Sequence, residues 1–144
     1  MNLDEARAIL VEHSRSRSNG HFPDPFHLVG KLTNPVCGDH VELRLRVVEG
    51  AIEAIGHKAQ ACAICSASAS LICGVVLGLK TSTVLELADV FERAVSSPVE
   101  DGWPENLSEF RCFEHLRVNP SRKLCALLPW VAIRSALHQP TTFV

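Results

Sequence analysis

Two spacings of apolar residues divide the chain. From 41 to 48 they alternate, with Val41, Leu43, Leu45 and Val47 on one face and Glu42, Arg44 and Arg46 on the other. A period of two predicts a half-buried antiparallel strand. Glu49-Gly50 supplies a turn, and Ala51 to Gly56 reads as the return strand of a hairpin. Pro23 and Pro25, followed by Phe26, Leu28, Val29 and Leu32, predict a short edge strand around 27–33. Elsewhere the spacing is helical. Leu3, Ala6, Ile9 and Leu10 predict a helix over 2–13, ended by the polar run Ser14 to Gly20. A second helix should run from about Ile64 to Leu77. Val84, Leu87, Ala88, Phe91 and Val95 place a third over about 83–96. Pro98, Gly102, Pro104 and Pro120 mark 97–121 as loop-rich, with a short helix near 107–116. The last helix is expected over about 122–138, burying Leu124, Leu127, Leu128, Val131, Ala132 and Leu137. Pro129 inside that pattern predicts a kink or a later start.

Strands first and helices after give an α+β fold. The expectation is a small antiparallel three-stranded sheet packed against a cluster of C-terminal helices, in a single domain over 1–144. The composition fits: apolar residues make up 47% and charged residues 21% of 144. A net charge of −2 without a basic stripe leaves no footprint for nucleic acid or an anionic membrane. Residues 61–79 carry no charge and nearly reach the length of a membrane span. Three serines in the first half make a buried helix the better reading. The charged N-terminus lacks the order of a secretory signal, which predicts a cytoplasmic setting. The six cysteines are then reduced thiols, available as ligands, nucleophiles or small buried groups.

Three places combine cysteine with turn or helix-start residues. In Asn34-Pro35-Val36-Cys37-Gly38-Asp39 the glycine permits a sharp bend, so a thiolate and a carboxylate can point at one centre. Cys62 precedes a helix start, whose partial positive charge favours a thiolate. Cys125 lies near the start of the last helix, three residues after Arg122, a cation that would act the same way. Three thiolates and a carboxylate suit tetrahedral zinc, and sulfur ligands also suit iron or an iron–sulfur cluster. By spacing alone, 37, 39, 62 and 125 are scattered and match no paired zinc-knuckle arrangement.

Three strings in order add a resemblance. Residues 34–39 resemble the N-P-x-C-G-D signature of the IscU/SufU/NifU N-terminal family of iron–sulfur cluster assembly proteins. Cys62-Ala63-Ile64-Cys65-Ser66-Ala67-Ser68-Ala69-Ser70 resembles its G-C-x-I-S-x-A-S-A-S block, and Arg122 to Trp130 its R-x-x-C-x-x-L-x-W element. The resemblance covers roughly residues 3–140 and implies the SufE/NifU (IscU-like) fold. It implies a metal site of Cys37, Asp39, Cys62 and Cys125 that holds zinc or a nascent cluster. Cys37 and Cys125 are the expected reactive thiols, receiving persulfide sulfur from a cysteine desulfurase. Arg122 and Cys65 are expected in support, Arg122 pairing with Asp39 when no metal is bound. Leu124 stands where the IscU-type scaffold has a histidine, the chaperone-docking string is missing upstream, and 97–121 looks like an insertion. These features point to the SufU-like branch, a zinc-dependent sulfurtransferase.

Two other readings stay open. One is a scaffold that builds a cluster and hands it to apo-protein acceptors. The other is a non-catalytic, zinc-stabilised module that binds a partner. It is motivated by Ala61 in place of the family's glycine and Cys65 in place of its serine. Cys62 and Cys65 also form a C-x-x-C, but a redox dithiol needs a thioredoxin-like setting that the sequence does not predict, so Cys65 reads as a serine replacement. Cys73 and Trp130 read as core, Cys112 as surface or packing, His40 as a solvent-facing strand start, and His57 and His115 as structural or exposed.

Overall fold

The computed structural model describes residues 1–16, 19–97 and 102–138. Its elements run α1 (Leu3–Ser14), β1 (Leu28–Thr33), β2 (His40–Val48), β3 (Ala51–Gln60), α2 (Ala63–Val76), α3 (Thr81–Ser96), a 3-10 helix (Glu105–Val118) and α4 (Pro120–Leu137). The strands form one antiparallel sheet in the order β1-β2-β3. Glu49 and Gly50 both take positive φ, the conformation that a two-residue hairpin turn between Val48 and Ala51 demands. The register shifts after Arg46, so that Arg46 faces Ala54 while Val47 faces Ile52.

The alternation in β2 sends Val41, Leu43 and Leu45 into the core, each with no exposed surface. Glu42 on the opposite face is also buried, its charge met by Arg44 and by Lys31 at 3.7 Å. Helix α4 crosses this sheet at β1. Gly30 makes the approach possible, because a Cβ there would run into the backbone carbonyl of Ala132. Small residues on α2 serve the same purpose: Ala67, Ser68 and Ala69 are fully buried, and the Ser68 hydroxyl donates to the carbonyl of Ala126 at 2.7 Å. An aromatic cluster closes the far end. Phe91 stacks on Trp130 at 5.4 Å and meets Phe110 and Phe113 edge-on at 5.2 and 5.9 Å.

Several boundaries differ from the sequence expectation. β3 continues to Gln60 rather than Gly56, since pairing with β2 reaches His40 opposite Gln60. The segment expected as loop-rich contains a longer helical stretch, Glu105–Val118, broken in dihedral angle at Leu107. It buries Leu107, Phe110, Cys112 and Phe113, so this region is part of the core. Of that segment, 98–101 lie outside the described residues. α4 starts earlier than expected, with Asn119 capping and Pro120 in the first turn, where a missing N–H costs nothing. The helix also passes through Pro129, whose ring is buried. The inward stripe is Cys125, Ala126, Pro129, Trp130, Ala132, Ile133 and Ala136, so Ala132 is buried as expected, while Leu124 and Val131, also expected in the core, lie outside the stripe and are exposed. No helix of the described residues is long and apolar enough to cross a membrane; α2, the uncharged one, has 14 residues.

Candidate metal centre

The site lies where the β1–β2 loop, the end of β3 and the second turn of α4 converge. The loop 34–39 is shaped by Asn34. Its side-chain oxygen accepts the Val36 N–H at 3.0 Å, its carbonyl accepts from Gly38 at 2.8 Å, and its own N–H donates to the carbonyl of Asp39 at 2.8 Å. Gly38 takes φ +77, which lets the chain reverse between Cys37 and Asp39. Cys37 ends exposed at the rim, while Asp39 is buried beneath it.

Cys62 is the N-cap of α2, and its sulfur accepts the N–H of Cys65 at 3.4 Å. The Cys62 N–H in turn donates to Asp39 Oδ1 at 3.0 Å, tying the strand end to the loop. Ala61, where the resemblance leads one to expect glycine, is not among the positive-φ residues, so its side chain brings no backbone strain. α4 supplies Cys125, held in place by the Ser68–Ala126 bond one residue on.

The Sγ atoms of Cys37 and Cys125 and a carboxylate oxygen of Asp39 all lie within 4.8 Å of one another, the one such group of three or more among the described residues. A tetrahedral zinc with Zn–S near 2.3 Å sets its ligands about 3.8 Å apart. The three groups are therefore close to the required spacing. Asp39 Oδ2 is buried with no hydrogen-bond partner, an orphaned acceptor of the kind that a cation satisfies. The donor set thus fits a zinc ion. Cys62 stands outside the tight trio but adjoins it through contact with Cys125.

The electrostatics correct one expectation. The Cys125 thiol is not poised as a thiolate by Arg122. It is pushed up to about 12, first by burial, then by the Cys62 thiol and the Asp39 carboxylate beside it. Arg122 is exposed in the first turn of α4 with its backbone N–H on Asn119 Oδ1, and among the ion pairs of the described residues none joins it to Asp39. Cys65 has no exposed surface. Burial raises its thiol further still, helped by the charges of Asp39, Cys62, Cys125 and Cys37.

A cavity of about 170 Å³ opens onto Cys37 and Cys125, lined besides them by Asn34, Val36, Ser121 and Leu124. Asn34 and Leu124, which carry no ligand atom expected at the site, line it all the same; their place inside two of the three strings is the available signal. The remaining residues read as structural behave so. Trp130 and Cys112 are buried, and Cys73 lies 3.4 Å from Nδ1 of the buried His57. His40 bonds Thr33 at 2.8 Å rather than facing the centre.

A family model described as NifU-like N-terminal domain matches residues 5–139. The chain is 30% identical over 132 residues to an iron–sulfur cluster assembly scaffold protein IscU of Streptococcus pyogenes serotype M1, covering 92% of this chain and 82% of that one. It is 25% identical over 138 residues to the zinc-dependent sulfurtransferase SufU of Bacillus subtilis (strain 168), covering 94% and 92%. Among solved structures it resembles a putative iron–sulfur cluster assembly scaffold protein for the SUF system from Fervidobacterium islandicum AW-1. That likeness has a TM-score of 0.80 at 24% identity, over 90% of this chain and 93% of the other. The N-terminal part of a nitrogen-fixing NifU-like protein from Brucella abortus matches with a TM-score of 0.77 at 23% identity, over 93% of each chain. The three-stranded sheet with its helices is the NifU/IscU-like fold.

Proposed function

This chain belongs to the NifU-like N-terminal domain family, whose relatives include iron–sulfur cluster assembly scaffolds, and on that premise we propose that it accepts persulfide sulfur from a cysteine desulfurase at a zinc-held cysteine site. The observation that carries the reading is the convergence of Cys37, Asp39 and Cys125 within 4.8 Å around an orphaned carboxylate oxygen. Cys37, Asp39, Cys62 and Cys125 are the residues that would hold the ion.

Zinc bound there would keep its cysteine ligands deprotonated, which burial otherwise opposes at Cys125. The roles of the side chains follow from their exposure. Cys37, exposed on its loop, is the thiolate that reaches a donor. It attacks the outer sulfur of the donor's persulfide; the donor's S–S bond breaks, its cysteine leaves as a thiolate, and Cys37 carries the new persulfide. Cys125 and Asp39, buried beneath it, hold the centre and exclude water from its floor. Val36, 93% exposed, and Leu124, 55% exposed, flank the cavity mouth and offer the donor protein an apolar landing. The proposed setting is the cytoplasm.

The test is labelled-sulfur transfer from cysteine and a cysteine desulfurase to the chain, with metal analysis of protein purified without chelator. The expected result is about one zinc per chain and label on Cys37. Full metal content and full uptake in Cys125→Ser would sink the proposed site. Binding of the desulfurase without label would identify a partner-binding module instead. The sulfur-rich donor set and the IscU relative favour cluster assembly as the second reading. Anaerobic reconstitution with iron and sulfide separates the two, since a scaffold forms a stable cluster, passed on to apo-protein acceptors, and a sulfur relay does not.

A further inference from the structure

Cys65 is the buried nucleophile for which the proposed function has no use. No thioredoxin-like surroundings are predicted for the C-x-x-C, yet the fold supplies the local part of them. β3 ends at Gln60 and α2 begins at Ala63, so the two cysteines straddle a strand-to-helix junction. Cys62 is the N-cap in extended conformation (φ −63, ψ 165), and Cys65 is the third helical residue. The Cys65 N–H points at Cys62 Sγ from 3.4 Å, which lays that sulfur over the first turn on the Cys65 side. The Cα atoms of an N-cap and of the third helical residue lie about 5 Å apart, inside the roughly 4.4–6.8 Å that a disulfide spans, and a local shift of the N-cap brings the Cβ atoms to the required separation of about 3.8 Å. The pair is also asymmetric. Cys62 is exposed and sits at the positive end of a helix, while Cys65 has no exposed surface. An exposed attacking thiol with a buried resolving one is the arrangement of a redox dithiol.

We propose that Cys62 and Cys65 are a redox-active pair whose closure to a disulfide withdraws Cys62 from the metal's ligand set and discharges the ion. The oxidant is a low-molecular-weight disulfide. The Cys62 thiolate attacks one of its sulfurs and displaces a thiolate. The Cys65 thiol gives its proton to that thiolate and attacks the Cys62 sulfur of the mixed disulfide, releasing the second thiolate. Two electrons pass from the cysteine pair to the small disulfide, which leaves as one thiol and one thiolate. The discharge step rests on the metal reading of the site; formation of the bond does not.

The full chain, zinc-loaded as purified, is equilibrated in glutathione buffers of rising oxidised fraction, quenched in acid, alkylated and mapped by peptide mass spectrometry. A colorimetric chelator follows zinc in parallel. The expected first bond joins Cys62 to Cys65, and zinc leaves in step with it. Cys65→Ser and Cys65→Ala, checked for folding by circular dichroism, should keep their zinc at the poise that empties the wild type. Zinc loss from both variants at the wild-type rate, or a first bond from Cys62 to Cys37 or Cys125, overturns the proposal. A chain that binds no zinc at all would refute the metal reading. The Cys62–Cys65 bond would still be tested, by mapping the metal-free protein.

Discussion

Replacing Asp39 by Asn separates what the site does for folding from what it does for metal. Asn keeps a side-chain oxygen for the Cys62 N–H, which Asp39 Oδ1 now accepts at 3.0 Å. It replaces Oδ2, buried without a partner, by an amide donor facing the sulfurs of Cys37 and Cys125. An unsatisfied buried acceptor costs about 1–3 kcal/mol, and more when charged. Metal-free Asp39→Asn should therefore be more stable than the wild type by about 1 kcal/mol or more. With zinc the sign reverses, because a neutral amide is a poor ligand. A loss of about 100-fold in affinity removes roughly 2.7 kcal/mol of the stabilisation that bound zinc confers. Urea unfolding of both proteins, once with chelator and once at buffered free zinc, gives the four stabilities. The variant should have the higher midpoint without zinc and the smaller gain with it, at unchanged slope. A variant less stable than the wild type without metal refutes the argument from the orphaned oxygen. An undiminished gain from zinc shows that Asp39 is not a ligand.

Other expectations follow from individual positions. Gly38 takes φ +77 with open space around its Cα, so Gly38→Ala should cost about 1 kcal/mol from backbone conformation alone and weaken zinc binding in a chelator competition. Unchanged affinity would show that the loop tolerates a shift of Cys37. Gly30→Ala meets the carbonyl of Ala132 and should lower stability by about 1–3 kcal/mol through displacement of α4, read as a drop in melting temperature. Phe91→Ala removes the centre of the aromatic cluster and should cost about 3–5 kcal/mol, with loss of near-ultraviolet circular dichroism. Burial holds His57 below its ordinary 6.5, so the folded chain binds fewer protons than the unfolded one on acidification. Stability should fall as pH drops below about 6.5, and His57→Gln should flatten that slope in urea unfolding. Burial raises Cys73 and Cys112 from 9.0 to about 12, where the folded chain instead holds the extra protons. Stability of the metal-free protein should thus also fall as pH rises between those values, and less so in Cys112→Ala.

Much of the fold was legible because its signals are local. The alternation from Val41 to Val47, the Glu49-Gly50 turn and the stripe from Val84 to Val95 each report a period that short-range geometry imposes. The caps were less readable. Asn119 and Pro120 start α4 ahead of the apolar pattern, and a thiol rather than a hydroxyl caps α2. The face that α4 buries differs from the expected one at Leu124 and Val131, since the helix is apolar on several sides and only packing against β1 and α2 selects one. The 3-10 stretch from Glu105 to Val118 is longer than the short helix expected near 107–116, because the flanking Pro98, Gly102, Pro104 and Pro120 dominate the local pattern, whereas Phe110 and Phe113 are drawn inward by their distant partners Phe91 and Trp130.

The sequence carries the candidate ligands in strings with turn or helix-start residues, and the resemblance of those strings in order, rather than their spacing, makes them a set. The sequence also determined the left-handed turn at Gly38 that aims Cys37 and Asp39 at one centre. That Cys125 meets them is a matter of packing across the chain, because it depends on Gly30 and Ser68 admitting α4 close to the sheet and to α2. Tertiary structure alone decided the chemistry of the meeting. Burial leaves one Asp39 oxygen unpartnered, holds the Cys125 thiol protonated, and leaves Arg122 in solvent. Those are consequences of desolvation and of charges from distant segments, which no local pattern encodes.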